Sequence, residues 1–249
     1  MRTSDIHTPN VPTAHTRVAT HTSPTSATRS GKLRLPVSTN ALGVVAIVGA
    51  VVWIATVAAF HLIRSDLTPG DAYISNYARG DWAWVMRAAF LINAAGWAAA
   101  GIGIRRELST LRGAATLTVL TSLAALGMFV AGIFRADPLH TQAHSVEGII
   151  HGRAAGLAFI ALILFGFVGW AVVRRADAWA AWARPSLAFG VAALILFVAF
   201  NAWPHVVGDG FGWWQRALAA VLIPGWLWLI GTRLTTRGCI NRYRTAYRR

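Results

Sequence analysis

The sequence predicts an all-α polytopic membrane protein: a six-transmembrane-helix bundle with both termini cytoplasmic. Three observations predict it. Hydrophobic residues make up 55% of the 249 residues and charged residues only 13%, which is too apolar for a soluble domain of this length. Apolar runs recur six times, most of them beyond the roughly 18 residues that mark a membrane helix. Arginine and lysine collect in alternate connections, as membrane topology requires.

Residues 1–38 are rich in Thr, Ser, Pro and His, with one acid, Asp5, and no apolar period. They read as a disordered cytoplasmic tail. The first apolar run begins near Asn40, too far in and too long for a cleaved signal peptide. The spans fall at about 41–63, 83–104, 114–134, 149–173, 186–203 and 215–232. At about 1.5 Å per residue, each approaches or exceeds the roughly 30 Å of hydrocarbon. Lipid offers the backbone no hydrogen-bond partner, so the spans must be helical. The fifth, bounded by Pro185 and Pro204, is the shortest. Residues 39–233 thus form the membrane domain and 234–249 a basic cytoplasmic tail.

Orientation follows from the basic residues. The two tails and the 105–113 and 174–184 loops hold 17 of the 23, so these segments face the cytoplasm. The 64–82, 135–148 and 204–214 loops then face outward. Trp82, Trp84, Trp203, Trp213 and Trp214 mark the outer boundary, and Trp170, Trp179, Trp182 and Trp228 the inner one. The net charge of +14 does not indicate nucleic acid, because the basic tails lack interleaved aromatics. The expected partners are the bilayer and anionic lipid at the cytoplasmic face, each charge adding about 1 kcal/mol. The setting is a bacterial plasma membrane, and the residues set no oligomeric state. Cys239 is the single cysteine, so a metal centre would need histidine and carboxylate ligands.

The outward side gathers the titratable groups. His61, His140, His144, His151 and His205 sit at its boundary, with Asp66, Asp71, Asp81, Asp137, Glu147 and Asp209. Arg87, Arg153 and Arg216 each lie about one turn inside the outer end of a helix. Charge at membrane depth usually faces the bundle interior, so these arginines are candidates to line an outward pocket. Snorkelling and structural ion pairing are the competing account.

The stretch GIFRADPLHTQAHSVEGIIHGRAAG, residues 132–156, is the polar island between two apolar runs. If helical from 139, it places Thr141, His144, Gly148 and His151 on one stripe, with Glu147 able to converge on the histidines. Asp137, His144, His151 and His205 form a candidate zinc set, although their loose spacing is a weak metal signal and no HExxH pattern occurs. No cofactor is the main expectation. Gly148, Gly152 and Gly156 read as a small-residue face packed on a neighbouring helix. Asn93, Thr118, Thr121 and Ser122 read as interhelical hydrogen-bonding groups.

YISNYARG (73–80), MRAAFLINAAGWAAAG (86–101), GMFVAGIFRADP (127–138) and VEGIIHGRAAGLAF (146–159) together resemble the bacterial and archaeal family known as domain of unknown function 998. The resemblance covers about 40–232 and implies a six-helix bundle. It rests on an IS-x-L/Y segment in the first outer loop, a G-I/L-F-x-x-D-P end to the third helix and a G-x-x-H-x-x-A/G opening to the fourth. By position, the family's polar signature falls on Ser75, Asp137, Pro138, Gly148 and His151. The chain departs at Arg135-Ala136, where members more often carry Pro and a small or Cys residue. The family lends no settled activity.

The leading functional expectation is binding of a lipid headgroup or small solute in an outward-facing polar pocket formed by Ser75, Arg87, Asp137, His151, Arg153 and Arg216. The residues leave open whether the chain is an enzyme, and this expectation leans against it. One alternative is a metal-dependent membrane hydrolase of lipid amides or esters, with Ser75 assisting the zinc set. Another is a small-solute transporter, against which the lack of broken helices and clear inverted repeats argues.

Overall fold

The computed structural model describes residues 37–139, 141 and 144–246, with side chains described through Thr236. The tail expected for 1–38 lies almost wholly outside the described residues, as does His140.

Six helices are long and apolar enough to cross a membrane, and the described residues contain no strand. Helix α1 spans Thr39–Ile63, and the Ser38 side chain caps it by accepting from the Ala41 amide. A 3₁₀ turn, Ile74–Ala78, interrupts the first long connection. Helices α2 (Ala83–Glu107) and α3 (Ala114–Ile133) follow. Helix α4 spans Val146–Val173 and is capped by Ser145. A second 3₁₀ turn, Ala180–Trp182, leads into α5, Ala183–Val206. The last span is composite: α6 (Phe211–Arg216), a π-helical stretch (Ala217–Leu222) and α7 (Ile223–Ala246).

Two boundaries differ from the sequence reading. Pro204 lies inside α5, because the helix continues to Val206; a proline there costs one hydrogen bond in the last turn. Helix α7 runs on to Ala246, so residues 234–246 continue a helix.

Each span packs on those before and after it in the chain, and α7 closes the circle on α1 while also reaching α2. Small residues set the closest approaches. A Cβ on Gly49 of α1 would stand 3.0 Å from the Gly96 Cα of α2, and one on Gly166 of α4 would stand 2.5 Å from the Gly190 Cα of α5. Helices α4 and α5 are thus pinned backbone to backbone near Gly166 and Gly190.

Asn93 Nδ2 donates to the Gly49 carbonyl at 3.2 Å, joining α2 to α1 as its sequence position suggests. Thr118 and Thr121 differ from that expectation. Their hydroxyls donate to the Ala114 and Leu117 carbonyls of their own helix, at 3.0 Å each, the back-bonding that a helical threonine reaches without a partner.

Three connections knit together at one end of the bundle, called here the site end. The Gly212 amide donates to the Gly70 carbonyl at 2.6 Å, and the Gly210 amide to Asp71 Oδ1 at 2.7 Å. Asn76 Nδ2 donates to the Asp137 carbonyl at 3.3 Å, and Arg79 donates to the Ala136 carbonyl. Beneath them a buried cluster includes Trp53, Phe60, Tyr77, Met86 and Phe90. Trp53 and Phe90 meet edge to face, with centroids 4.7 Å apart.

Candidate functional site

The connection from α3 to α4 builds one wall. The Asp137 carboxylate accepts from Ser145 Oγ at 2.6 Å and from the Ser145 amide at 3.2 Å, and it contacts His144 Nδ1 at 3.2 Å. The Ser145 hydroxyl, helped by that residue's amide and by His144, holds the carboxyl below the usual carboxylate range against some opposition from burial. Ser145 Oγ in turn accepts from the Gly148 amide at 2.9 Å. A Cβ on Gly148 would stand 2.1 Å from Asp137 Oδ2, so glycine lets the carboxylate lie on the first turn of α4. The positive end of the helix dipole favours an anion there.

One turn further in, His151 is 5% exposed. Its Nδ1 lies 2.9 Å from the Ala131 carbonyl and 3.0 Å from the Phe134 carbonyl. Both neighbours are acceptors, so Nδ1 carries the proton in the neutral ring and Nε2 keeps its lone pair. These contacts also satisfy carbonyls at the end of α3. Nε2 has no protein partner among the described residues.

Gln215 of α6 faces the same space and is 8% exposed. Its Oε1 accepts from the Ile74 amide at 2.8 Å, while its amide nitrogen has no partner among the described residues. Ser75 stands beside it on the 3₁₀ turn.

These groups line two adjoining chambers. The inner chamber is small, about 60 Å³, and is walled by Trp53, Phe90, Asn93, Met128, Leu162 and Ile223 among others. The outer chamber holds about 390 Å³ and is open, with Asp137, Thr141, His144 and Asn201 among its polar lining. Ser75, His151, Ala155, Phe159 and Gln215 line both chambers and so stand where the two adjoin, a place called here the neck.

Gly152 and Gly156 line the outer chamber. A Cβ on either would meet nothing within 4 Å among the described residues. This corrects the packing role read from their spacing. Pinned at Gly166 and Gly190, α4 and α5 leave open space at the site end, and the glycines border it.

Of the six candidate pocket residues, the structure brings Ser75, Asp137 and His151 together. Arg87, Arg153 and Arg216 line neither chamber. Arg87 donates to the Gly132 and Ile133 carbonyls at 3.0 and 2.8 Å, satisfying the end of α3. Arg216 is 5% exposed and donates to His61 Nε2 at 2.8 Å, the Ala72 carbonyl at 2.7 Å and Tyr77 Oη at 2.9 Å. Arg153 is exposed on α4 and has no partner among the described residues.

Among the described residues, no three His, Cys, Asp or Glu side chains gather as a metal-holding group. Asp137 and His144 of the zinc set are in contact, His205 is exposed on α5, and His151 Nδ1 is engaged by α3 carbonyls. Glu147 turns to Arg135, at 3.2 Å, instead of converging on the histidines. Helix α4 starts at Val146, so Thr141 and His144 precede it and share no helical stripe with His151.

Gln215 escaped the sequence reading. Its signal was a lone uncharged amide in an apolar span, overshadowed by its charged neighbour Arg216. The profile of a family described as "Protein of unknown function (DUF998)" matches residues 47–233. No curated protein and no solved structure matches the chain.

Proposed function

The chain belongs to the DUF998 family, and from its own geometry we propose that it is a membrane-embedded binding protein for a lipid-like amphiphile or small solute. One observation carries this reading. A cavity with polar groups at its mouth and neck and a floor that is apolar except for Asn93 opens at one end of a bundle whose helices can cross a membrane. Ligand sites of this kind are mostly apolar, with a few placed polar groups that fix orientation. A molecule with a polar head and an apolar body matches that division.

The arginine distribution supports a multi-pass protein with both termini cytoplasmic and the mouth on the outer side of the plasma membrane. The basic tails then face anionic lipid at the inner surface.

Lipid extraction of the protein purified in mild detergent tests the binding reading. The expected result is one class of amphiphile retained at about one per chain and lost from Gly152→Leu, whose new side chain would enter the outer chamber. An amphiphile retained equally by both proteins, or none retained by either, would count against the cavity as a binding site.

A further inference from the structure

We infer, resting on the binding reading above, that the ligand is an uncharged single-chain amphiphile whose hydroxyl is held at the neck by His151 and Gln215. Three independent features lead there.

The first is charge. No lysine or arginine lines either chamber among the described residues. The arginines of the site end are committed elsewhere: Arg64 to Asp66, Arg79 to the Ala136 carbonyl, Arg87 to the end of α3, Arg135 to Glu147 and Arg216 to Tyr77 and its neighbours. Arg153 is exposed outside the cavity. An anionic head would be desolvated there without a counter-charge, which is unfavourable. A cationic head would find one lining carboxylate, Asp137, at the mouth and already bonded to Ser145 and His144.

The second feature is the pair of unused groups at the neck. His151 Nε2 offers a lone pair, because Nδ1 gives its proton to the α3 carbonyls. The Gln215 amide nitrogen offers hydrogens, because Oε1 is fixed by the Ile74 amide. Both residues are more than nine-tenths buried and line both chambers. One hydroxyl donates to an acceptor and accepts from a donor, so a single oxygen complements both. A carboxylate cannot donate to His151, and an ammonium cannot accept from Gln215.

The third feature is room for a chain. In the outer chamber, Gly152 and Gly156 of α4 border open space that Phe197 and Phe200 of α5 also line. The inner chamber, about 60 Å³, is too small for a long chain, whereas the outer one offers about 390 Å³. An alkyl chain therefore lies in the outer chamber, along Phe159, Phe197 and Phe200, with its hydroxyl end at the neck.

The test uses three ligands of one chain length on the full-length protein in nanodiscs: tetradecanol, tetradecanoate and tetradecylamine. Equilibrium binding of radiolabelled tetradecanol, with the other two as competitors, gives the order. Wild type should prefer the alcohol by about tenfold or more, the scale of one hydrogen bond to a buried group. Gln215→Glu keeps an oxygen for the Ile74 amide but replaces the donor with a carboxylate oxygen; it should reverse the preference toward the amine. A wild-type preference for tetradecanoate or tetradecylamine overturns the inference, as does an unchanged order in a folded Gln215→Glu. The wild-type series needs no variant, so misfolding of Gln215→Glu leaves it decisive. Gly156→Leu should abolish binding of all three. If none binds wild type, or Gly156→Leu binds all three normally, the binding reading itself falls.

Discussion

The Ser145 hydroxyl lies 2.6 Å from Asp137 Oδ1 and 2.9 Å from the Gly148 amide nitrogen. One group therefore donates to the aspartate and caps α4. The α3–α4 connection is fixed to the helix whose next turn carries His151.

That relationship makes stability depend on acid. The folded pKa of Asp137 lies below its ordinary value of about 3.9, chiefly through the Ser145 hydroxyl. Its contribution is present above the unfolded value and is lost as pH falls through the folded one. Asp66 acts in the same direction through Arg64. Thermal unfolding followed from about pH 7 to about pH 3 should show a falling midpoint in wild type. Asp137→Asn should have a lower midpoint at neutral pH and a shallower fall. Parallel curves for the two proteins would mean that the carboxylate does not anchor the connection.

The three glycines at the start of α4 should separate by substitution to alanine. At Gly148 the new methyl would collide with a carboxylate that Ser145 and His144 hold in place, so a loss of about 1–3 kcal/mol is expected. At Gly152 and Gly156 it enters open space, and helix propensity favours alanine by up to about 1 kcal/mol. Chemical or thermal unfolding of the three single variants checks the order. Destabilisation by Gly156→Ala comparable to that by Gly148→Ala would contradict the open space.

The arginines should separate too. Arg216→Lys cannot reproduce a guanidinium reaching His61, the Ala72 carbonyl and Tyr77 at once. Each buried partner left unpaired costs about 1–3 kcal/mol. Arg153→Ala removes an exposed group without a partner among the described residues and should stay within about 0.5 kcal/mol. Unfolding midpoints of the pair decide it; equal losses would show that exposure is a poor guide here.

Topology is checked by a reporter fused after Arg249. Activity confined to the cytoplasmic form of the reporter is expected from the basic loops. Activity on the outer side would invert the bundle and place the cavity mouth inward.

The sequence by itself determined the six spans, because hydrocarbon length and the backbone's need for hydrogen bonds leave little else for such runs. Its short motifs also picked out Ser75, Asp137 and His151, which the structure brings to one cavity. Tertiary structure decided what those residues face. Arg87, Arg153 and Arg216 share a depth in the sequence pattern, but depth does not tell which side of a helix finds a carbonyl, a phenol or open surroundings. Gly148, Gly152 and Gly156 share one spacing, yet among the described residues a side chain would meet a carboxylate at the first and nothing within 4 Å at the other two. That difference comes from α4 and α5 touching at Gly166 and Gly190 and leaving room at their other ends. Gln215 became visible only once the Ile74 amide, 141 positions away, was seen to hold its oxygen and leave its nitrogen to the cavity. Periodicity records which residues a helix carries, and only the packing of one helix on another fixes the space left between them.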